Sequence, residues 1–220
     1  MTSKERMHAT LNHKQPDRVP IDINGASTTC ISAYATKELI AYKQYKDTTI
    51  KLFDPVQMMA FAPEELLAEV EPDMPCLGKE LFPEDWKQID FPRLGSVHVP
   101  QYLDITIKSN GEILLNNAGG APIAKMPVGA AFFDQTVFPY EDGYPEQFDF
   151  KKAFSQVQWQ TIGRHPYQLA DREDFYVKMR ESALNSDAKG YPTAVSAGCN
   201  FFEIGCFTRR MDNFLMDLLI

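Results

Sequence analysis

The sequence lacks the short motifs and the long apolar runs that identify many common enzymes and membrane proteins. Its 220 residues contain no GxGxxG, P-loop, GxSxG or HExxH motif. No stretch approaches the roughly 18 consecutive apolar residues that span a bilayer. The charged residues Lys4, Glu5 and Arg6 are not followed by the apolar run of a secretory signal. These absences predict a cytoplasmic protein.

Cysteine and histidine are scarce and widely separated. The four cysteines include no CxxC pair, and no histidine lies within a few residues of a cysteine. Because a locally built zinc site needs such ligands close together in the sequence, no metal-binding residue is predicted in this chain. Without a secretory signal, the cysteines are expected to be free thiols. They are Cys30, Cys76, Cys199 and Cys206.

The chain is acidic, with a formal net charge of -8. A nucleic-acid partner is not expected, because neutralising phosphates requires clustered lysine and arginine. The hydrophobic fraction of 44% and the charged fraction of 24% are ordinary for a globular protein. At this length a sizeable core can be buried, and one domain is the default expectation.

The N-terminal part of the sequence predicts helices that alternate with short strands. Thr2-x-x-Glu5 has the capping-box spacing that begins a helix, and the helix ends before Pro16. Residues 18–23 predict a strand, which Asn24-Gly25 breaks. The other elements predicted here are a helix over residues 28–42, helix starts at Asp54-Pro55 and at residues 62–65, a strand over residues 73–77 and a loop over residues 80–100.

An antiparallel β-meander is predicted over about residues 100–140. Alternating apolar and polar residues in "LDITIK" lead into Asn110-Gly111, the dipeptide that most strongly indicates a tight hairpin. Gly119-Gly120 predicts the next turn. The remaining elements are a helix over residues 171–185, a strand over residues 191–197, a helix over residues 201–207 and a last helix from residue 212, whose apolar stripe is Phe214, Leu215, Leu218 and Leu219.

Four blocks in register resemble the uroporphyrinogen decarboxylase superfamily, most closely its branch of corrinoid-dependent methyltransferases and O-demethylases. They are "LNHKQPDRVPIDI" with the following "NGAS", "FDPVQMMAFAPEELLAEVEPDM", "YLDITIKSNGEILL" and "AVSAGCNFFEIGCFTRRMDNFLMDLL". The resemblance implies an α/β fold, a (β/α)8 TIM barrel whose pocket lies at the C-terminal ends of the strands. Only residues 18–23, 73–77 and 191–197 predict barrel strands. Residues 1–220 are therefore expected to form a partial barrel, the N-terminal portion of a single domain, with the β-meander inserted.

The resemblance implies transfer of a methyl group from a small methoxylated or methylated substrate to a corrinoid protein. In this branch a zinc ion, held by a His-x-Cys pair and a later cysteine, activates the methyl acceptor or polarises the donor. A partner protein carries the corrinoid. The zinc ligands would lie beyond Ile220, so this chain is expected to bind no cofactor itself and to be inactive alone.

Two other functions remain open. The first is a lyase resembling uroporphyrinogen decarboxylase, although those enzymes carry a paired-arginine loop after the first strand and residues 24–30 contain no arginine. The second is a non-catalytic remnant or split subunit. Because no following element covers the apolar stripe of the last helix, that helix is expected to form a homodimer or to bind a second polypeptide.

Four candidate substrate-binding residues lie at or just after the C-terminal ends of predicted strands, where barrels place their sites. Asn24 and Gly25 follow the first strand, Ser196 lies at the end of the strand over residues 191–197, and Asn200 follows that strand. Their polar groups and close backbone could contact a substrate. The alternative role for all four is turn or cap formation. No catalytic residue is predicted.

Glu203 is the fifth candidate for substrate binding. It lies in "FFEI", among apolar residues, where a carboxylate must find a partner or become protonated. The structural alternative is an ion pair with Arg209 or Arg210, about two helical turns further along the chain.

Overall fold

The computed structural model describes residues 1–55, 57–75, 77, 86–117, 119–157, 173–194 and 201–219. The helices of this part are α1 (Ser3–Leu11), α2 (Ala33–Lys43), α3 (Glu64–Val70), α4 (Phe150–Val157), α5 (Phe175–Ala188), α6 (Phe201–Arg209) and α7 (Met211–Asp217). The strands are β1 (Ile31–Ser32), β2 (Ile50–Asp54), β3 (Met59–Ala60), β4 (Trp86–Phe91), β5 (Gly95–Pro100), β6 (Asp104–Ile107), β7 (Ile113–Asn116), β8 (Pro122–Met126) and β9 (Asp134–Gln135). No helix among the described residues is both long and apolar enough to cross a membrane.

The described residues form two compact units. The first unit takes its residues from Met1–Pro100 and Arg164–Ala197. The second takes its residues from Gln101–Gly163 and Gly198–Ile220. Each unit contains one sheet of its own.

The first unit contains a five-stranded sheet in the order β1-β3-β2-β5-β4. Strands β2 and β5 are parallel, with Ile50 opposite Val97, and the other neighbouring pairs are antiparallel. Alternating apolar residues of β2 and β5 share one face of the sheet. Ile50, Leu52, Val97 and Val99 are all buried there and form part of the core of this unit.

The second unit contains a four-stranded sheet in the order β6-β7-β8-β9, in which every pairing is antiparallel. Asn110-Gly111 lies in the turn between β6 and β7. Gly111 has a φ of 87°, and its N–H donates to the carbonyl of Lys108 (2.9 Å). Ile113 and Leu115 are buried on one face of the return strand. The predicted hairpin and the antiparallel meander are confirmed.

The prediction of a partial (β/α)8 barrel is wrong. In the described residues, the strands form separate sheets of five and four strands. Among the strands that the structure describes, only β2 and β5 pair in parallel, whereas a TIM barrel is built from parallel neighbours joined by helices. The meander is therefore the sheet of its own unit, and it is not an insertion into a barrel.

Residues 18–23 and the described part of residues 73–77 are not strands. Val19, in the middle of the first of these segments, is largely exposed. The two segments contact each other through Asp73, whose N–H donates to the carbonyl of Ile21 (2.7 Å). The carboxylate of Asp73 accepts the N–H of Ile21 in return (2.9 Å). The backbone and carboxylate of Asp73 therefore join the two segments, in place of the backbone hydrogen bonds of a β-sheet. Residues 191–194 are also not a strand, and residues 195–197 lie outside the described residues.

Two other predictions are wrong: the helix start at Asp54-Pro55 and, in its described part, the loop over residues 80–100. Strand β2 ends at Asp54, so Pro55 follows a strand and does not begin a helix. Within residues 80–100, the described residues from 86 onward form the β4–β5 hairpin. Pro92 lies in its turn and Pro100 is the last residue of β5, positions where a missing N–H is tolerated.

Candidate binding site

Helix α1 buries a charged residue rather than an apolar one. Its start is fixed by a complete capping box, in which the Glu5 N–H donates to the Thr2 hydroxyl (3.2 Å) and the Thr2 N–H to the Glu5 carboxylate (2.8 Å). Arg6, in the next position, is only 7% exposed. A buried guanidinium is tolerated only with paired charges and hydrogen-bond acceptors, so the partners of Arg6 determine the local structure.

Asp73 is the fully buried partner at the centre of these contacts, with an exposure of 0%. Its carboxylate accepts hydrogen bonds from Nη1 of Arg6 and from Nη1 of Arg18 (2.7 Å). It also accepts the Ser3 hydroxyl (2.8 Å) and the backbone N–H of Ile21 (2.9 Å). The N-terminal helix, the segment around Arg18 and the segment after α3 are therefore joined at one carboxylate.

Asp17 completes this group of charges. Its carboxylate accepts hydrogen bonds from Nε (2.7 Å) and Nη2 (2.9 Å) of Arg6 and pairs with the N-terminal amine of Met1 (2.9 Å). We call Arg6, Asp17, Arg18 and Asp73 the Asp73 network. Its two arginines and two carboxylates carry equal and opposite charges, and the N-terminal amine adds one positive charge beside Asp17.

The network keeps both carboxylates ionised. Burial by itself raises the pKa of Asp73, but hydrogen bonds from the Ile21 N–H, the Ser3 hydroxyl and Arg6, with the nearby charge of Arg18, hold it below its ordinary value. The hydrogen bond from Arg6, followed by that from the N-terminal amine, holds the pKa of Asp17 well below its usual range. A general base needs a pKa near the working pH, so neither group is suited to that role.

A cleft of about 960 Å³ opens beside the Asp73 network. This volume lies near the upper end of the roughly 300–1,000 Å³ typical of small-molecule sites. The N-terminal segment, helix α3 and the segment after α5 supply its walls. The residues that line it include Arg6, Arg18, Asn24, Leu67, Ala68 and Lys189. We call it the first-unit cleft.

Asn24 lies on the wall of the first-unit cleft, but its side chain is engaged with the backbone. It has a φ of 69°, in the left-handed region that asparagine tolerates better than most residues. Its Oδ1 accepts the N–H of Ala62 (2.8 Å), and its Nδ2 donates to the carbonyl of Ala62 (3.5 Å). Asn24 is 2% exposed. It therefore fixes the position of the chain before α3 at the edge of the cleft.

Gly25 lies where the backbone approaches two side chains. Its N–H donates to Oδ1 of Asp22 (2.9 Å). A Cβ at this position would lie 2.8 Å from Cβ of Met74 and closer still to the Asp22 carboxylate. Glycine is therefore required here by packing. Close backbone approach was the feature that made Gly25 a candidate, and the groups that approach it are these two protein side chains.

The three other candidates are not among the described residues of the first unit. Ser196 and Asn200, like Cys76 and Cys199, lie outside the described residues. Glu203 is exposed on α6, in the second unit. The expected ion pair between Glu203 and Arg209 or Arg210 is wrong. Arg209 pairs with Asp217 (2.8 Å) and Arg210 with Glu141 (2.7 Å).

The resemblance implies a zinc ion, and the part of the chain that the structure describes holds no set of ligands for it. Those residues contain no group of three or more His, Cys, Asp or Glu side chains placed to hold a metal ion. Cys206 is buried on α6, and burial raises the pKa of its thiol, which disfavours the thiolate that binds metals.

The sequence analysis does not predict the Asp73 network. Arg6 and Arg18 are ordinary polar residues by pattern, and Asp73 was interpreted as part of a strand. The available signal was the run Pro16-Asp17-Arg18, which places opposite charges side by side in a turn. No local pattern shows that such charges meet a third, distant carboxylate.

Comparison of the sequence and the structure with family models, curated proteins and solved structures gave no match.

Proposed function

We propose that this chain binds a small methoxylated or methylated organic substrate in the first-unit cleft. It would serve, in the cytoplasm, as the substrate-binding part of a methyltransferase whose methyl acceptor is a corrinoid protein. The proposal joins two observations. The substrate class comes from the resemblance of the four sequence blocks. The place comes from the cleft, which at about 960 Å³ is larger than the cleft of about 500 Å³ in the second unit.

One observation carries the proposal. The residues that form most of the first-unit cleft belong to the N-terminal segment and to the first two blocks of the resemblance. Arg18 and Asn24 come from the first block and its "NGAS" extension, and Leu67 and Ala68 come from the second. Segments that resemble one family in the sequence therefore lie around one cleft.

The chemistry of the cleft supports binding more than proton transfer. Its arginines already donate to Asp73 and Asp17, and both carboxylates are held ionised by those contacts. The cleft therefore presents a fixed polar wall on one side. Helix α3 supplies the apolar Leu67 and Ala68 on another side. A lyase acting on a polycarboxylate is less well supported, because it needs arginines that are available to the substrate.

Ligand-observed NMR with para-methoxybenzoate as the probe tests the proposal. We expect saturation transfer from the protein to the methoxy protons, and weaker transfer to para-hydroxybenzoate, which lacks the methyl group. Ala68→Trp should abolish the effect, because Ala68 is an exposed residue of α3 that lines the cleft. Ala41→Trp is the matched control, since Ala41 is an exposed helical alanine on α2 away from the cleft lining. Equal signals from both variants would contradict the proposal.

Transfer is measured separately with cob(I)alamin as the acceptor. This chain alone is expected to form no methylcobalamin above the rate without protein, because it is expected to be inactive alone. Formation of methylcobalamin that depends on the chain would contradict its assignment as the substrate-binding part only. Because binding is measured without the acceptor, the two experiments can fail independently.

A second candidate is a subunit that binds another copy of this chain through α7. The observation that favours it is exposure of large apolar side chains on and after this helix. Leu219 is 81% exposed and Leu218 is 62% exposed. The other exposed members are Met211, Leu215 and Met216. Light scattering should show a dimer that Leu215→Glu with Leu219→Glu converts to a monomer. A monomer before the substitutions would rule out this candidate.

A further inference from the structure

Strand β6 is an outer strand of the sheet in the second unit. In the part of the chain that the structure describes, it pairs with β7 alone. The other outer strand of this sheet, β9, has only two residues. An unpaired edge presents a row of N–H and C=O groups to which another strand can bind, and proteins usually protect such edges with charges or short strands. The residues of β6 therefore show what this edge can accept.

The backbone groups that point away from β7 belong to Ile105 and Ile107. The N–H of Lys108 donates to the carbonyl of Glu112 (2.9 Å), so these two residues are a hydrogen-bonded pair of the hairpin. Such pairs alternate with non-hydrogen-bonded pairs along an antiparallel ladder, so Thr106 also directs its N–H and C=O to β7. Ile105 and Ile107 direct theirs outward, where they bond to no backbone group among the described residues.

The apolar face of this sheet also reaches the β6 edge. Ile105 lies opposite Leu115, and Ile107 lies opposite Ile113, so all four side chains share one face of the sheet. Leu115 and Ile113 are 0% and 2% exposed, whereas Ile107 is 41% exposed. The buried part of this face therefore ends before the outermost strand, and apolar side chains added beyond the edge would bury Ile107 further.

The two charged residues of this segment are arranged symmetrically about its centre. Asp104 and Lys108 lie on the polar face, two residues before and two residues after Thr106, and both are exposed. Asp104 accepts a hydrogen bond from Asn116 (3.2 Å), and Lys108 pairs with Glu112. If two β6 strands pair antiparallel about Thr106, Asp104 of each copy lies opposite Lys108 of the other. Like charges directly opposite each other would disfavour this pairing, whereas opposite charges favour it.

The same register satisfies the outward backbone groups. Residues that lie opposite each other in an antiparallel pair exchange hydrogen bonds when both direct their N–H and C=O to the partner. Centring the pair on Thr106 places Ile105 opposite Ile107 of the other copy, and both residues point outward. Registers centred on Ile105 or on Ile107 lose the pairing of Asp104 with Lys108. Backbone and charge therefore favour one register.

We propose that β6 forms the contact of a symmetric homodimer, in which two copies of this chain join their four-stranded sheets into one continuous sheet. Asp104 pairs with Lys108 across the two-fold axis, and Thr106 lies opposite its own copy. The isoleucines of both strands extend the apolar face. An unrelated extended segment would offer the same backbone groups without this symmetric arrangement of charges, so a second copy is the favoured occupant. The contact is independent of the function proposed for the first unit, and it uses a different element from α7.

Analytical ultracentrifugation of charge variants tests the proposal. We expect the unsubstituted protein to dimerise and Asp104→Lys to raise the dimer dissociation constant several-fold, because like charges then meet at both ends of the paired strands. Asp104→Lys combined with Lys108→Asp reverses both charges and should restore dimerisation. Asp134→Lys makes the same change at an exposed residue of β9 and should have no effect.

Four outcomes of this experiment would overturn the proposal. They are a monomeric unsubstituted protein, a dimer that Asp104→Lys leaves intact, equal weakening by Asp104→Lys and Asp134→Lys, and a double variant that stays monomeric although urea denaturation shows that it is folded. A dimer lost only in Leu215→Glu with Leu219→Glu would fall under the second of these, because the contact would then belong to α7.

A disulfide at the two-fold axis tests the register. In the proposed dimer, Thr106 and its copy form a non-hydrogen-bonded pair, whose Cα atoms lie about 4.5 Å apart, within the range that a disulfide bridges. Thr106→Cys should therefore give a covalent dimer on mild oxidation, above the background set by the four natural cysteines of the unsubstituted protein. Thr136→Cys, at an exposed threonine just after β9, is the matched control and should stay at that background. Equal yields of covalent dimer from the two variants would overturn the proposal.

Discussion

The Asp73 network of the first unit and the Arg209 network of the second both use arginine to join segments that are distant in sequence. In the Arg209 network, Arg209 contacts Asp217, the ring of Tyr144 and the carbonyls of Tyr140 and Glu141. The carboxylates at the centres of the two networks differ in exposure: the side chain of Asp73 is 0% exposed and that of Asp217 is 28% exposed. Their surroundings differ too, since Arg209 also stacks on Tyr144, whereas Arg6 and Arg18 share a single carboxylate. Similar hydrogen bonds should therefore differ in how much stability is lost when one partner is removed, because water can replace a partner only where it has access.

Asp73→Asn should cause the largest loss of stability in either network. It leaves Arg6 buried and Arg18 partly exposed without the charge that both contact. Removing one partner of a buried ion pair costs about 3–5 kcal/mol. Urea denaturation should show a loss of this size in the free energy of unfolding.

Asp90→Asn is the matched control for Asp73→Asn. Asp90 is an exposed residue of β4, and the same chemical change there should alter the free energy of unfolding by less than about 0.5 kcal/mol. Similar losses in the two variants would contradict the view that burial makes the Asp73 network important.

Acid should weaken the first unit through the same carboxylate. The pKa of Asp73 is lower in the folded protein than in the unfolded chain, so at low pH the unfolded chain binds more protons. The contribution of Asp73 is therefore present above its ordinary pKa of about 3.9 and is lost as the pH falls through its lower folded value. The unfolding free energy should fall less steeply with acid in Asp73→Asn than in the unsubstituted protein. An unchanged slope would show that Asp73 is protonated equally easily in both states.

Local signals in the sequence predicted much of the helix and hairpin structure but not the sheet of the first unit. The capping box at Thr2 and Glu5, the start of α3 after Pro63 and the hairpin at Asn110-Gly111 are each fixed by residues close in sequence, and each is confirmed. Helices α6 and α7 also fall where they were predicted. In these cases the residues that carry the signal also make the local hydrogen bonds.

The candidate site was harder to predict because its contacts are long-range. Asn24 is a candidate because it follows a predicted strand, but the residue that its side chain contacts, Ala62, is distant in the sequence. Arg6 is the buried residue of α1, yet by pattern a charged residue belongs on an exposed face. Only the position of Asp73 in the fold explains this burial, and no local spacing encodes that position.

Arg209→Met should have an intermediate effect confined to the second unit. Methionine retains much of the apolar side chain, but the bonds to Asp217 and to the carbonyls of Tyr140 and Glu141 are lost. A hydrogen bond to a charged group contributes about 1.5–3 kcal/mol, and the partial exposure of this site places the expected loss at the lower end. Hydrogen exchange should speed up in α6 and α7. Arg180→Met, at an exposed residue of α5, is the control and should leave those rates unchanged.

The smallest effect is expected for the ion pair between Lys4 and Asp187, which joins α1 to α5 near the Asp73 network. The two side chains are 46% and 53% exposed, so water replaces either partner readily. The backbone bond from the Lys4 N–H to the Gly190 carbonyl (2.9 Å) also remains when the side chains are removed. A double-mutant cycle with Lys4→Ala and Asp187→Ala should give a coupling of about 0.2–1 kcal/mol. This coupling should shrink in salt, because dissolved ions screen charges that are exposed to solvent. The loss caused by Asp73→Asn should be nearly the same at low and high salt. A large Lys4–Asp187 coupling that salt does not reduce would show that exposure does not distinguish the two kinds of contact.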